Sequence, residues 1–316
     1  MNISIVLSTY NGEKYIRKQL DSLLRQTRQP EEVLILDDGS TDNTVHICTD
    51  FIKENNLEGW SITCNEKNIG WAENFHRGFE KASGDIIFPC DQDDIWIEDK
   101  IALMAGLIEK ENINHCSSGK HDNERIGLLI CGHIKQIESE NSSRRENKSF
   151  SNTIRQLPFN KKLIFVDYPG CVYCFTKSFY NEIKGYYFEG YPHDAFLLRM
   201  GRLTQKAYYY DFPGIYWRRH LHNATGKPVR TNEEMRGRIS YYIDCLESMK
   251  KWCIDREESE NKRDLIEENI VFYKKRLLAF EKRKIIGRNS LFSCLKYIDF
   301  YPKYRSILGD LIRIIH

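Results

Sequence analysis

Ile86-Ile87-Phe88-Pro89-Cys90-Asp91-Gln92-Asp93-Asp94-Ile95-Trp96 reads as an apolar strand that delivers three carboxylates within four residues at its C-terminal end. Like charges this close repel and raise one another's pKa unless a cation or a set of donors neutralises them. Oxygen ligands at the end of a strand suit Mg²⁺ or Mn²⁺, and in an open α/β sheet that edge is where ligands bind. A divalent ion held by one or two carboxylates takes its remaining ligands from water and substrate phosphates. The stretch therefore predicts a metal–diphosphate site. Its plain alternative is an acidic turn whose aspartates cap the helix that follows.

Working back toward the N-terminus, strand and helix signals alternate. Ile3 to Ser8 is a strand, and Glu13 to Gln26 a helix with Ile16, Leu20, Leu23 and Leu24 on one stripe. Val33 to Leu36 is a buried strand ending in Asp37-Asp38-Gly39, after which Ser40 to Asn43 supplies turn and N-cap chemistry for a helix through Val45, Ile47, Phe51 and Ile52. Trp60 to Asn65 is a third strand. Trp71 to Ala82 is a helix with Phe75, Phe79 and Ala82 at helical spacing, stopped by Gly84. This order implies a mainly parallel sheet with helices on both faces. Parallel strands put their C-terminal ends on one edge, so Thr9-Tyr10-Asn11, Asp37-Asp38 and Asp91 to Asp94 can converge. Taken singly, Thr9 and Asn11 also suit a helix cap, Tyr10 core packing, and Asp37-Asp38-Gly39 a tight turn.

The chain has 316 residues, 41% hydrophobic and 29% charged, enough for one large domain plus an appendage. A formal net charge of +2 does not favour nucleic-acid binding. No basic region followed by a long apolar core opens the chain, and no apolar run approaches a membrane span, so a cytoplasmic location is expected. The ten cysteines then read as reduced thiols. Cys171 and Cys174 have CxxC spacing, but strand residues three apart point to opposite faces and could not share a metal.

Four segments carry a resemblance: Ile5 to Gly12, Asp37 to Asp42, Asn65-Glu66-Lys67-Asn68-Ile69-Gly70, and Cys90 to Trp96. In this order and spacing they closely resemble the family-2 glycosyltransferases, in particular bacterial rhamnosyltransferases and enzymes of cell-surface polysaccharide assembly. The likeness covers about Met1 to Gly226 and fades beyond it. It implies a GT-A fold, a nucleotide-diphosphate sugar donor, Mn²⁺ or Mg²⁺, and inversion at the anomeric carbon.

Carried over position by position, the resemblance places Thr9 and Tyr10, with Asn11, at the base and ribose pocket. Asp38 would accept a hydrogen bond from the imide N–H of the base. Uracil and thymine present that N–H, so the donor is a UDP or dTDP sugar, dTDP-rhamnose among them. Asp91 would contact ribose or metal and Asp93 the metal, with Asp94 either behind the metal ligands or directed toward the donor sugar. Gly170 would lie close to that sugar, where lacking a side chain permits the approach. Tyr191-Pro192-His193-Asp194 opens a helix; Asp194 suits a simple N-cap, while the family places its general base there. An inverting displacement needs such a base to take the acceptor hydroxyl's proton. Ala195-Phe196 stands where relatives often carry tryptophans. Ile215 to Asn223 resembles an aromatic-Arg-x-His-x-x-Asn run, which makes His220 a candidate metal or diphosphate ligand, its plain alternative being an exposed histidine in a basic loop, and Arg218 or Arg219 a counter-charge for the leaving phosphates.

Glu138 to Lys148 is a charged excursion, either a lid or a solvated loop. Gly127 to His133, Pro169 to Phe175 and Lys206 to Phe212 read as strands. The expected division is a catalytic domain over 1–228 and a helical extension over 229–316, with periodicity through Ile239, Ile243 and Leu246, then Ile266, Ile270, Tyr273 and Leu277. From Lys274 to His316 eleven basic residues face three acidic ones, beside apolar stripes that include Leu291, Phe292, Leu308 and Ile312. That pattern suits helices lying on an anionic bilayer, and equally helices packed on the catalytic domain or on a second copy in a homo-oligomer. The reading is a metal-dependent inverting transferase acting on a lipid-linked saccharide at the inner face of the plasma membrane. The alternatives are a non-catalytic nucleotide-sugar-binding or scaffold protein, and a sugar nucleotidyltransferase. The latter would carry a Gly-rich, Arg-containing loop after the first strand, and Ser8 to Gly12 is not one.

Overall fold

The computed structural model describes residues 1–118, 125–139, 142–220, 231–281, 294–301 and 304–315. Strands β1 (Ile3–Thr9), β2 (Glu32–Asp37), β3 (Trp60–Cys64) and β4 (Ile86–Asp91) pair in parallel in the order β3-β2-β1-β4. The chain thus winds outward from β1 to β3, then crosses back to lay β4 on the other side of β1. The crevice between the C-terminal ends of β1 and β4 is the switch point of the sheet. Ser8 is in register with Asp91 there.

Helices α1 (Ile16–Leu24), α2 (Thr44–Glu54) and α3 (Trp71–Lys81) make the crossovers. On α1 the expected Ile16, Leu20 and Leu23 are buried, and on α3 Phe75 and Phe79. The first helix begins at Ile16 rather than at the expected Glu13, because the Gly12 carbonyl closes a turn with the Tyr15 and Ile16 N–H groups. On α2 the inward stripe is Thr44, Cys48 and Phe51, with Val45, Ile47 and Ile52 only half-buried. Phe51 sets that rotation by packing on Trp60, ring centroids 5.9 Å apart.

The second half extends the same sheet. It contributes β5 (Ile95–Trp96), α4 (Lys100–Ser118), β6 (Leu128–Ser139), β7 (Ser142–Arg145), β8 (Ile154–Gln156), β9 (Tyr173–Thr176), α5 (Lys177–Ile183), α6 (His193–Leu203) and β10 (Ala207–Arg219). Strand β9 lies antiparallel between β4 and β6, and β10 runs parallel to β6, so six strands share one direction. Three expectations change. The charged excursion contains β7, hairpinned onto β6 with Gln136 opposite Arg145. The strand at 169–175 begins as a 3₁₀ turn, Gly170–Val172, and is extended only from Tyr173. The two aromatic segments around 206–219 are one strand, bulged where Pro213, which has no N–H to give the ladder, interrupts the register with β6.

Residues 1–157 and 166–223 form one compact unit, and residues 158–165 and 224–316 a second. The second contains α7 (Asn232–Asp255), opened by a capping box between Thr231 and Glu234, and α8 (Glu260–Glu281). Its apolar interior includes Ile239, Leu246, Met249 and Trp252 from α7 and Ile266, Ile270, Phe272 and Tyr273 from α8, with Ile243 and Leu277 half-buried. A 3₁₀ stretch, Cys294–Phe300, and a last helix, Tyr304–Ile315, follow. Leu291 and Phe292 lie outside the described residues, as do Leu221, His222 and Asn223. No helix among the described residues is long and apolar enough to cross a membrane.

Candidate functional site

The strand ends converge as parallel pairing requires, and hydrogen bonds lock them together. Thr9 Oγ1 donates to Asp37 Oδ1 (2.8 Å), and Asp37 also accepts the Ser40 N–H, so this buried carboxylate holds the β1 and β2 ends in place. Asp38 is 2% exposed and accepts from Asn65 Nδ2 (2.9 Å), the Ile69 N–H (2.8 Å) and the Gly70 N–H (2.9 Å). The Asn65 to Gly70 segment is therefore wrapped around Asp38, and one of the carboxylate's roughly four acceptor positions remains. Asn11 is in the left-handed region (φ 46°), and its Oδ1 accepts the Thr41 N–H at 2.9 Å. Tyr10 projects its ring outward, 46% exposed.

The three aspartates of β4 part company at the turn. Asp91 and Asp94 bring ligand oxygens within 4.8 Å of each other and of Cys171 Sγ. Asp93 turns the other way, and its Oδ2 lies 3.0 Å from His220 Nε2. The expected set Asp91, Asp93 and His220 is thus not one cluster among the described residues, because the turn brings residues three apart, rather than two, to a common side. Asp94 is buried; its Oδ1 accepts the Arg218 N–H at 3.1 Å, while Oδ2 meets no N–H or O–H donor among the described residues.

The charges here are mutually opposed. Burial, then the charges of Asp93 and Asp194, push Asp91 up to about 7. Asp94 is raised well above its ordinary value by burial and by Asp93 and Asp91. The Cys171 thiol is raised in turn, by burial and then by Asp94 and Asp91. A buried cation, Lys100, partly offsets this; its Nζ donates to the Cys171 carbonyl (2.8 Å) and lies 3.3 Å from the Trp96 ring centroid. Crowded oxygens, an orphaned carboxylate oxygen and an adjacent imidazole fit a divalent ion, with oxygen ligands suiting Mn²⁺ or Mg²⁺.

Asp194 lies in the first turn of α6, whose N-cap is Pro192, so it is not the cap residue. Burial raises its pKa, against the Ala195 N–H and the charge of Arg199. His193 beside it is buried against Phe75, ring centroids 4.0 Å apart, and burial pushes it down to about 3, leaving a neutral imidazole. Gly170 meets this pair: a Cβ there would clash with His193 Nε2 and lie 3.2 Å from Asp194 Cβ. The glycine is needed for the seating of α6, a role the sequence does not show. Arg218, on β10, and His220, just past its end, both pack on Tyr15, the His220 ring stacked at 4.1 Å and the Arg218 guanidinium at 4.9 Å. Strand alternation puts Arg219 on the opposite face, 4.6 Å over Trp217, so it does not join the cluster. Sequence reasoning missed Tyr15, Lys100 and Cys171; their roles come from contacts far apart in the chain.

A separate cleft of about 330 Å³ opens at the other end of the strands, lined by Glu31, Glu32, Glu58 and Ser83 among others. Its Glu31 accepts the Ile3 N–H and its Glu32 the Ser4 and Ser83 hydroxyls, so these carboxylates hold the sheet edge together.

Comparison with known proteins agrees with this arrangement. The family model described as Glycosyl transferase family 2 matches residues 4–181. The dTDP-rhamnosyl transferase RfbG of Shigella flexneri is 28% identical over 234 residues, 71% of this chain and 74% of that protein. Shorter matches to other bacterial glycosyltransferases span 34% and 36% of those proteins' lengths. Among solved structures, Staphylococcus aureus TarS 1–349 in complex with UDP-GlcNAc superposes with a TM-score of 0.59 at 18% identity, covering 100% of this chain and 82% of that one. The mannosyltransferase PcManGT of Pyrobaculum calidifontis, in complex with GDP-Man and Mn²⁺, gives 0.53 at 13% identity, covering 99% and 85%. The architecture is that of the GT-A glycosyltransferases, and with more than half its length matched by the family model the chain belongs to glycosyltransferase family 2.

Proposed function

We propose that the chain is a metal-dependent, inverting glycosyltransferase that moves a sugar from a UDP or dTDP donor to a saccharide hydroxyl in cell-surface polysaccharide assembly. The observation that carries this reading is that Gly170 and Cys171, adjacent in the chain, lie against Asp194 and against the Asp91–Asp94 carboxylates respectively, so the candidate base and the acidic turn border one site. Likeness to a dTDP-rhamnosyl transferase supports a deoxynucleotide donor and a rhamnosyl group.

Asp91 and Asp94 from one side of the turn, with Asp93 and His220 from the other, would hold a divalent ion. When bound, that ion supplies positive charge to the diphosphate leaving group. Thr9, Tyr10 and Asn11 border the nucleoside, with the exposed Tyr10 ring available for stacking and the remaining acceptor position of Asp38 facing the base. Arg218, which packs on Tyr15 as His220 does, adds charge on the phosphate side. Asp194 accepts the proton of the acceptor hydroxyl as its oxygen bonds to the anomeric carbon. The carbon–oxygen bond to the diphosphate breaks on the opposite face, and the nucleoside diphosphate departs with the electron pair. A carboxylate whose pKa is raised by burial is a stronger base for this step than an ordinary one.

The acceptor in this reading is carried on a lipid. The last helix exposes Leu308 (60%) and Ile312 (61%) one turn apart, an apolar face suited to peripheral membrane contact. Full-length protein sedimenting with anionic liposomes, and Leu308→Glu/Ile312→Glu failing to, is the expected result; equal sedimentation of both removes that part. The main test screens UDP and dTDP sugars with and without Mn²⁺, following thermal stabilisation and donor hydrolysis. Stabilisation and hydrolysis that need Mn²⁺ support an enzyme; stabilisation with no turnover on any donor supports a binding protein.

A further inference from the structure

Gln92 lies between Asp91 and Asp93 in the turn proposed to hold the metal, yet its side-chain hydrogen bonds go to Tyr10. Its Oε1 accepts the Tyr10 N–H at 2.9 Å, and its Nε2 donates to the Tyr10 carbonyl, also at 2.9 Å. A single carboxamide thereby completes both hydrogen-bonding groups of one peptide residue, as a neighbouring strand would. The paired ladder of β1 and β4 runs to Ser8 opposite Asp91. Gln92 carries the connection past that point by side chain, across the switch crevice, where backbone pairing has stopped. Gly12 is part of the same device: the three nearest atoms to a Cβ added there are Oε1, Cδ and Nε2 of Gln92. Asn11, between Tyr10 and Gly12, is tied onward to the β2 turn through Ser40 and Thr41. One chain of contacts therefore runs from the β4 aspartates, through Gln92 and Tyr10 to Asn11, to the turn that follows Asp38.

We propose that Gln92 is a positioning residue that couples the metal end of the site to the nucleoside end, so that ordering the Asp91–Asp94 turn around a cation also fixes the Thr9–Asn11 turn for the base. The coupling is reciprocal: whatever factor the cation contributes to nucleoside affinity, the nucleoside contributes to cation affinity. Gly12 leaves room for the clamp. This rests on the metal and nucleotide assignments proposed above.

The probe must not touch the metal itself. A nucleoside diphosphate would couple to Mn²⁺ through its own phosphates, whereas uridine or thymidine, which carry none, can feel the ion only through the protein. Calorimetric titration of the nucleoside with and without Mn²⁺ gives the coupling factor. In the wild type we expect Mn²⁺ to tighten nucleoside binding about fivefold or more, the lower end of ordinary coupling. In Gln92→Ala the factor falls toward one, while each ligand alone still binds. Gly12→Ala should reproduce this without altering Gln92, because its new Cβ meets the far end of a flexible side chain, which yields by swinging out. The double variant should then be no worse than either single one, the signature of two positions acting through one contact. Hydrogen exchange at the Tyr10 amide, read without any ligand, should be slow in the wild type and faster in both variants.

An undiminished coupling factor in Gln92→Ala, additive effects of the two substitutions, or a wild type that binds both ligands without coupling would each overturn the inference alone. Failure of the wild type to bind either nucleoside or Mn²⁺ would instead sink the functional reading of the site, and this inference with it. A Tyr10 amide equally protected in all variants would show that the clamp does not hold the turn.

Discussion

Two clusters of charge, one in each unit, are treated in opposite ways. In the second unit, Arg276 makes a two-pronged ion pair with Asp310, at 2.7 and 3.0 Å, and Tyr301 donates its hydroxyl to the same carboxylate at 3.2 Å. Burial alone would discourage the guanidinium charge, but Asp310 more than offsets it and holds the Arg276 pKa above its ordinary value. In the first unit, Asp91, Asp93 and Asp94 crowd together, Asp194 adds to them, and the buried Lys100 offsets only part of their charge. The first arrangement is complete without a ligand. The second carries an electrostatic cost when its carboxylates are ionised, which either proton uptake or a bound cation relieves.

That contrast is sharpened most by the substitution with the largest effect. Asp93→Asn removes the carboxylate that faces His220 and should abolish Mn²⁺-dependent nucleotide binding while leaving the circular-dichroism spectrum and folding intact. Unchanged Mn²⁺-dependent binding in this variant would break the assignment. Asp194→Asn comes next: donor binding is retained and transfer falls about a hundredfold or more, the scale of a general base. Loss of thermal stability with transfer unchanged would make Asp194 a structural residue of α6.

On the balanced side, Arg276→Met leaves Asp310 buried and unpaired and should cost about 3–5 kcal/mol in denaturant unfolding. Arg276→Met/Asp310→Leu, which removes both charges, should recover most of that loss. If the double variant were as unstable as the single one, the pair would be doing more than cancelling itself. A smaller effect separates the two regions by pH. The folded Asp91 carboxyl holds its proton up to about 7, far above the ordinary value of 3.8, so the unfolded chain ionises first. Stability from this group is therefore lost as pH rises from about 4 to about 7. The transfer rate should move the other way, rising with pH through a limb above the usual carboxylate range, since Asp194 must be ionised to act as base and its pKa is also raised.

Much of the first unit is legible in its sequence because the signals are local. Apolar runs mark β1, β2 and β4, the stripe of Phe75 and Phe79 marks α3, and strand order alone brings Thr9, Asp38 and Asp91 to one edge. What is not legible depends on partners distant in the chain. Nothing in Tyr173 to Thr176 announces a strand running against its neighbours between β4 and β6. The CxxC spacing argues against Cys171 as a ligand only if the segment is extended, whereas a 3₁₀ turn at Gly170–Val172 directs that thiol to Asp91 and Asp94. Gln92 reads as a spacer between carboxylates until Tyr10 is known to lie opposite it.

The carboxylates at the end of β4 are held in a state that favours a ligand over the empty fold. Thermal unfolding of wild type and Asp91→Asn at pH 8 tests it most directly, each with and without Mn²⁺ and UDP. Without ligand, Asp91→Asn should melt a few degrees above the wild type, because it removes a half-buried charge repelled by its neighbours. With Mn²⁺ and UDP the order should reverse, the wild type gaining stability and the variant little. A variant that melts below the wild type in the absence of ligand would show that Asp91 is already satisfied within the fold, and would contradict the account.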